Sequence, residues 1–316
     1  MTKTPIILDC DPGHDDALAL MMVIASPEFD LRAVTTSAGN QTPDKTFDNA
    51  CRLLTLMERT DIPVASGNKK PLLQELMIAD AVHGDTGVDG TVLPKSEIPA
   101  TNLTAIELIA ETLSKSAEKV TMVVTGPMTN MALFLAVYPE LKSKIEKIVF
   151  MGGSTDVGNV KPGSEFNIAV DPESAKMVLN DSIPLVMAGL NLTHQAQILD
   201  AEIEEIGKIN NKVAQSAYGL LKFYGIYYGQ EKWGFQGIPL HDPCTIAWML
   251  QPELFTSGHY HVDVEVNGDL TRGETIVDKF DLLGLEKNTE VLLSIDRTKF
   301  VELLISKLKK FDELVG

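Results

Sequence analysis

No stretch of this 316-residue chain is apolar for long enough to cross a bilayer. The longest such runs, Ala17 to Ala25 and Met131 to Val137, stop well short of the roughly 20 residues that a spanning helix needs, so no membrane partner is expected. Met1 to Leu8 carries one lysine and only a short apolar run, too little for a secretory h-region, and no leader is expected. Cysteine is scarce: Cys10, Cys51 and Cys244 form neither an even framework nor a C-x-x-C pair. That argues against disulfide staples and thiolate metal sites, and for a reducing cytoplasmic compartment. Positive charge is short as well. A net charge of -17 without a basic stripe repels phosphate backbones, which excludes nucleic acid and favours neutral or cationic small molecules and metal ions. Missing too are a G-x-G-x-x-G after a strand and a G-K-[ST] P-loop, so dinucleotides and nucleotides are poorly supported. Without a Pro/Gly/Ser-rich linker, a charge block or an internal repeat, one domain is favoured over two.

What is present is ordinary globular usage, 44% hydrophobic and 22% charged, which rules out a disordered or fibrous class. Short β-branched or apolar runs alternate with longer helical stretches, the pattern of an α/β protein with a mostly parallel sheet covered on both faces. Strands are expected at Pro5–Leu8, Leu31–Thr36, Val64–Ala65, Thr121–Val124, Lys147–Phe150 and Leu185–Ala188. Helices are expected at Asp15–Ser26, Thr42–Arg59, Ala105–Ser116, Met128–Tyr138, Asp171–Asn180 and Ile206–Tyr228, then near Cys244–Leu250 and Thr298–Phe311. A strand-rich patch runs from Tyr260 to Val277. Ligands of open α/β sheets bind at the carboxyl ends of strands, and the polar loops Asp9–Asp16, Ala38–Thr42, Thr125–Asn130 and Met151–Asn167 fall there.

The densest chemistry is Asp9-Cys-Asp11-Pro-Gly-His-Asp15-Asp16, which sets four carboxylates within eight residues directly after an apolar strand. Crowded carboxylates repel one another, and a divalent cation is the simplest way to keep several ionised. Helix capping by Asp15 and Asp16 is the plainer alternative, and it is compatible with ligation. Oxygen donors select Ca²⁺ or Mg²⁺ over zinc. An EF-hand is excluded, because counting from Asp9 puts His14 where that loop needs glycine and Leu20 where it needs glutamate. The Asp-x-Asp of magnesium phosphohydrolases fits Asp9 and Asp11, but the chain then turns through Pro12-Gly13.

Taken with Gly39-Asn40-Gln41-Thr42, Val124 to Asn130, Phe150-Met151-Gly152-Gly153, Glu165-Phe166-Asn167, Asp171-Pro172 and His241-Asp242-Pro243, this acidic loop resembles the inosine–uridine type nucleoside hydrolase family. The anchors follow the family's order from residue 9 to residue 243. The stretch Glu231-Lys-Trp-Gly-Phe and the His-Asp-Pro-Cys at 241–244 are similar to the family's bacterial pyrimidine-specific members. The resemblance implies a single Rossmann-like domain over residues 1–316 and hydrolysis of the N-glycosidic bond of ribonucleosides, cytidine and uridine first. It also implies a homotetramer, and a Ca²⁺ held by Asp11, Asp16, the carbonyl of Thr125 and Asp242. A role for the Thr125 hydroxyl stays open beside its carbonyl.

By the same resemblance Asp11 is the base that activates water, and the ribose pocket maps onto Asp15, Asn40, Asn159, Glu165 and Asn167 with Met151 beside the sugar. Amides and carboxylates complement ribose hydroxyls, although any one of these asparagines alone reads as a turn residue or cap. His241, next to Asp242, matches the family's leaving-group histidine, with His83 a candidate for base contact and His14 a support for the acidic loop. Tyr224 and Tyr228 share a helix face and could meet a base or simply pack in the core. Gly229–Gly237 is glycine-rich enough to form a lid. Three rivals remain: a broad-specificity purine and pyrimidine hydrolase, a magnesium phosphohydrolase of the Asp-x-Asp type, and a nucleoside- or calcium-binding protein without activity.

Overall fold

The computed structural model describes residues 3–314. Eleven strands form among the described residues: β1 (Thr4–Cys10), β2 (Phe29–Thr36), β3 (Val64–Ser66), β4 (Val120–Val124), β5 (Ile145–Met151), β6 (Leu185–Ala188), β7 (Gln197–Ile198), β8 (Ile238–Pro239), β9 (Phe255–Val264), β10 (Thr275–Asp278) and β11 (Thr289–Ile295). Nine of them make one sheet in the order β10-β9-β11-β6-β5-β4-β1-β2-β3, and β7 pairs with β8 apart from it. Pairings from β11 through β3 are parallel, while β9 runs antiparallel to both of its neighbours. The single Rossmann-like α/β domain expected from the sequence is what forms.

Successive side chains of a strand point to opposite faces, and β1 uses both. Ile6 and Leu8 join the core beneath the helices His14–Ile24, Lys212–Tyr228 and Arg297–Lys309. Ile7 joins the opposite core with Met122, Phe134 and Phe150. From β1 the chain builds outward to β2 and β3, then returns to lay β4, β5 and β6 on the other side. That reversal puts the topological switch point between β1 and β4, where the carboxyl ends of both strands open a crevice.

Two expectations change. The helix expected over Ile206–Tyr228 is two helices, Asp200–Gly207 and Lys212–Tyr228, because the Asn211 side chain accepts the amide of Ala214 at 2.7 Å and starts a new helix there. The strand-rich patch extends further than expected, starting at Phe255 and including β11, which fits between β6 and β9. Among the described residues, no helix is long and apolar enough to cross a membrane.

Candidate active site

Asp9 and Asp11 lie two residues apart at the end of β1 and meet different fates. One oxygen of Asp9 accepts the Thr35 hydroxyl at 2.6 Å and the Asn130 amide at 2.8 Å, tying β1 to β2 and to the helix Thr129–Val137. Asp9 thus ties the sheet together through Oδ1, and its Oδ2 is buried without a partner. Asp11 lies instead just behind the switch-point crevice, where its Oδ2 accepts the backbone amide of Asn40 at 2.7 Å and its Oδ1 is buried without a partner. A Cβ on Gly39 would stand 2.1 Å from Asp11 Oδ2, and one on Gly126 would stand 2.8 Å from Oδ1. Both loops therefore need glycine where they pass this carboxylate.

Asp16, in the first turn of His14–Ile24, accepts from the amide of Gly13 at 3.0 Å, Asn40 Nδ2 at 2.9 Å and the Thr125 hydroxyl at 2.8 Å. It caps its helix and also faces the acidic corner, so the two readings coexist. Thr125 uses both of its oxygens: the hydroxyl donates to Asp16, and the carbonyl accepts Asn167 Nδ2 at 2.7 Å. Asp15, Asp16 and Asp242 bring carboxylate oxygens within 4.8 Å of one another. Asp15, expected on the ribose, thus shares the corner with two expected ligands.

Burial pushes these groups away from the ionised form, and for Asp11, Asp15 and Asp242 the neighbouring carboxylates add to it. Asp15 rises to about 7, Asp11 and Asp242 stand well above the usual carboxylate range, and Asp16 is raised. No Lys or Arg is among the described residues that line the crevice. Repelling buried carboxylates with an oxygen lacking any donor fit a hard divalent cation, the oxygen-ligated kind.

Above the corner is a cavity of about 270 Å³. It is lined by Asp15, Asn40, His83, Thr125, Met151, Asn159, Glu165, Asn167, Tyr224, Tyr228, His241 and Asp242, which brings twelve of the residues singled out in the sequence to one cavity; Asp11 and Asp16 lie just behind it. Glu165 is also a helix cap, accepting the amides of Gly153, Asn167 and Ile168 at 2.9–3.1 Å, and burial raises it to about 7. Asn159 accepts the amide of Phe166 at 2.9 Å. Capping and lining are therefore combined in the same side chains.

The opposite end of the cavity is aromatic. His241 lies between two hydroxyls, with Thr193 Oγ1 2.8 Å from Nδ1 and the Tyr228 hydroxyl 2.9 Å from Nε2, and burial holds it down to about 3. Tyr224 packs edge-on against Tyr228 at 5.0 Å between ring centroids. His83 enters on the short helix Asp80–His83, which had no periodicity to announce it, and its Nδ1 is 3.0 Å from His14 Nδ1. His14 in turn is fixed by the Asp89 carbonyl, 2.8 Å from Nε2. Within Gly229–Gly237 a short 3-10 helix, Glu231–Trp233, sets Trp233 against the cavity. Trp233, Tyr227, Thr193 and the apolar Met77–Val82 stretch were not selected by the sequence reading; only Trp233 and Tyr227 lay in segments already marked.

A family model described as "Inosine-uridine preferring nucleoside hydrolase" matches residues 6–302. The chain is 55% identical to the pyrimidine-specific ribonucleoside hydrolase RihA of Enterobacter sp. (strain 638), over 97% of this chain and 98% of that one. It is also 55% identical to the protein of that name from Escherichia coli (strain K12), over 96% and 98%. Among solved structures, a purine-preferring ribonucleoside hydrolase from Gardnerella vaginalis superposes with a TM-score of 0.92 at 30% identity, over 99% of this chain and 100% of that one.

Proposed function

The chain belongs to the inosine-uridine preferring nucleoside hydrolase family, enzymes that hydrolyse N-glycosidic bonds, and we propose that its substrates are pyrimidine ribonucleosides, cytidine and uridine, cleaved with a bound Ca²⁺. The carrying observation is one cavity with an acidic floor, a rim of amides and carboxylates, and a histidine–tyrosine pair 2.9 Å apart at its aromatic end. Base preference follows from the close relatives and not from the fold, which the purine-preferring structure shares. The family resemblance extends the proposal to a homotetramer, and the three free, buried cysteines extend it to the cytoplasm.

Asp16 and Asp242, whose carboxylate oxygens lie within 4.8 Å of each other and of Asp15, would hold the cation together with Asp11 and the carbonyl of Thr125. Bound there, Ca²⁺ supplies the positive charge that keeps the carboxylates ionised. Asp11 has a free oxygen to take the proton of the attacking water. Asp15, Asn40, Asn159, Glu165 and Asn167 pair with ribose hydroxyls, and their negative charge stabilises the oxocarbenium-like sugar as the bond to the base opens. Tyr228, backed by His241, meets the departing base.

A reducing-sugar assay over purine and pyrimidine nucleosides, with and without chelator, tests this reading. Ribose release from cytidine and uridine, lost on chelation and restored by Ca²⁺, is the expected result. Preferred hydrolysis of inosine would overturn the pyrimidine assignment. Uridine binding without release of ribose would favour a binding protein.

A further inference from the structure

Thr193 ends the short helix Leu190–Thr193 after β6 and is fully buried, outside the cavity lining. Its hydroxyl lies 2.8 Å from His241 Nδ1, and among the described residues that nitrogen is its only hydrogen-bond partner. Across the ring, the Tyr228 hydroxyl lies 2.9 Å from Nε2. Either hydroxyl could donate or accept, so the direction of each bond follows from what else each can reach. If Thr193 accepted from Nδ1–H, its own proton would be buried with nothing to bond, which is costly. A doubly protonated ring would force the same outcome, because both nitrogens would donate. Thr193 therefore donates, and Nδ1 accepts. The ring proton is then on Nε2 and is donated to the Tyr228 oxygen. Tyr228 is not stranded by this, since it lines the cavity and its proton can meet a ligand there.

We propose that Thr193 is a positioning residue that fixes His241 as the Nε2–H tautomer, so that Tyr228 turns its phenolic proton onto a carbonyl oxygen of the bound base. The identity of that acceptor rests on the pyrimidine reading; the direction of the chain from Thr193 through His241 to Tyr228 does not. Aligned hydrogen bonds polarise one another, and a donor aimed where charge develops stabilises the departing base without giving up its proton.

The test combines ¹⁵N NMR of histidine-labelled holoenzyme with the kinetics of Thr193→Val and Thr193→Ser. In the unsubstituted protein His241 should carry its proton on Nε2, with Nδ1 bare. In Thr193→Val the Nδ1 resonance should move downfield, having lost its donor. That variant should lose about 10- to 100-fold in kcat on uridine while keeping its rate on nitrophenyl riboside, whose leaving group needs no donor. Thr193→Ser should restore both. A proton on Nδ1 in the unsubstituted enzyme overturns the proposal, and so does an unchanged kcat on uridine, or an equal loss on both substrates, in a Thr193→Val protein that melts normally. Were uridine not a substrate at all, the tautomer and the Nδ1 shift would still decide it, independently of the pyrimidine assignment.

Discussion

The backbone amide of Asn40 donates to Asp11 Oδ2 at 2.7 Å, and it leaves Oδ1 of the same carboxylate buried with no donor. One oxygen is thus anchored to the loop after β2, and the other is free to take a proton or face a cation. Asp11→Asn keeps an acceptor for Asn40 but removes both the charge and the basicity. The expected outcome is a loss in kcat on the order of 10³-fold or more with the fold retained. Near-normal turnover by a folded variant would exclude Asp11 as the base.

The raised carboxylates give the cation-free protein a characteristic pH dependence. Burial lifts Asp15 from 3.8 to about 7, Glu165 from 4.5 to about 7 and Asp9 from 3.8 to about 6. Through these carboxyls the folded state holds more protons than the unfolded chain and stability falls as pH rises, while buried His14, His83, His194 and His241, all held below the usual 6.5, pull the other way until about that pH. Chelated protein should therefore melt at a lower temperature at pH 8 than at pH 7, above the histidine range. Added Ca²⁺, expected to bind the ionised corner, should raise the melting temperature more at pH 8 than at pH 7. Thermal scans at the two pH values check this, and a chelated protein that gains stability toward pH 8 would contradict it.

The sheet and the acidic corner were legible in the sequence because their signals are local. Runs such as Ile6-Ile7-Leu8 are long enough to mark buried strands, and Asp11, Asp15 and Asp16 are packed into one loop. What stayed hidden depends on distant partners. Asp9 and Asp11 look alike in the motif and are told apart by Thr35, 26 residues away, and Asn130, 121 residues away. β11 is a short apolar run that becomes a strand because β6 and β9 leave a place between them. Thr193 carries no motif, and its meeting with His241 spans 48 residues.

The proposed ribose pocket predicts strong discrimination at the sugar. Asp15, Asn159, Glu165 and Asn167 present buried or half-buried polar groups to the cavity, and a substrate lacking a hydroxyl leaves some of them unpaired. kcat/KM for 2′-deoxyuridine should be lower than for uridine by about 10⁴-fold. Comparable values in a competition assay would remove the sugar assignment of these residues.

His241 and Tyr228 touch at 2.9 Å, and substitutions in a pair that acts as one unit should not add. A pyrimidine leaves through N1 and carries charge onto a carbonyl oxygen, which a phenol held by the imidazole can meet. His241→Ala and Tyr228→Phe should each slow uridine hydrolysis by roughly 10²-fold or more, and the double variant should be scarcely slower than either single one. On nitrophenyl riboside all three should stay within a few-fold of the unsubstituted enzyme, since that leaving group needs no help. A double variant whose loss is the product of the two single losses would mean that the residues act separately. An equal loss on both substrates would shift the role of His241 to orienting Asp242 and the sugar.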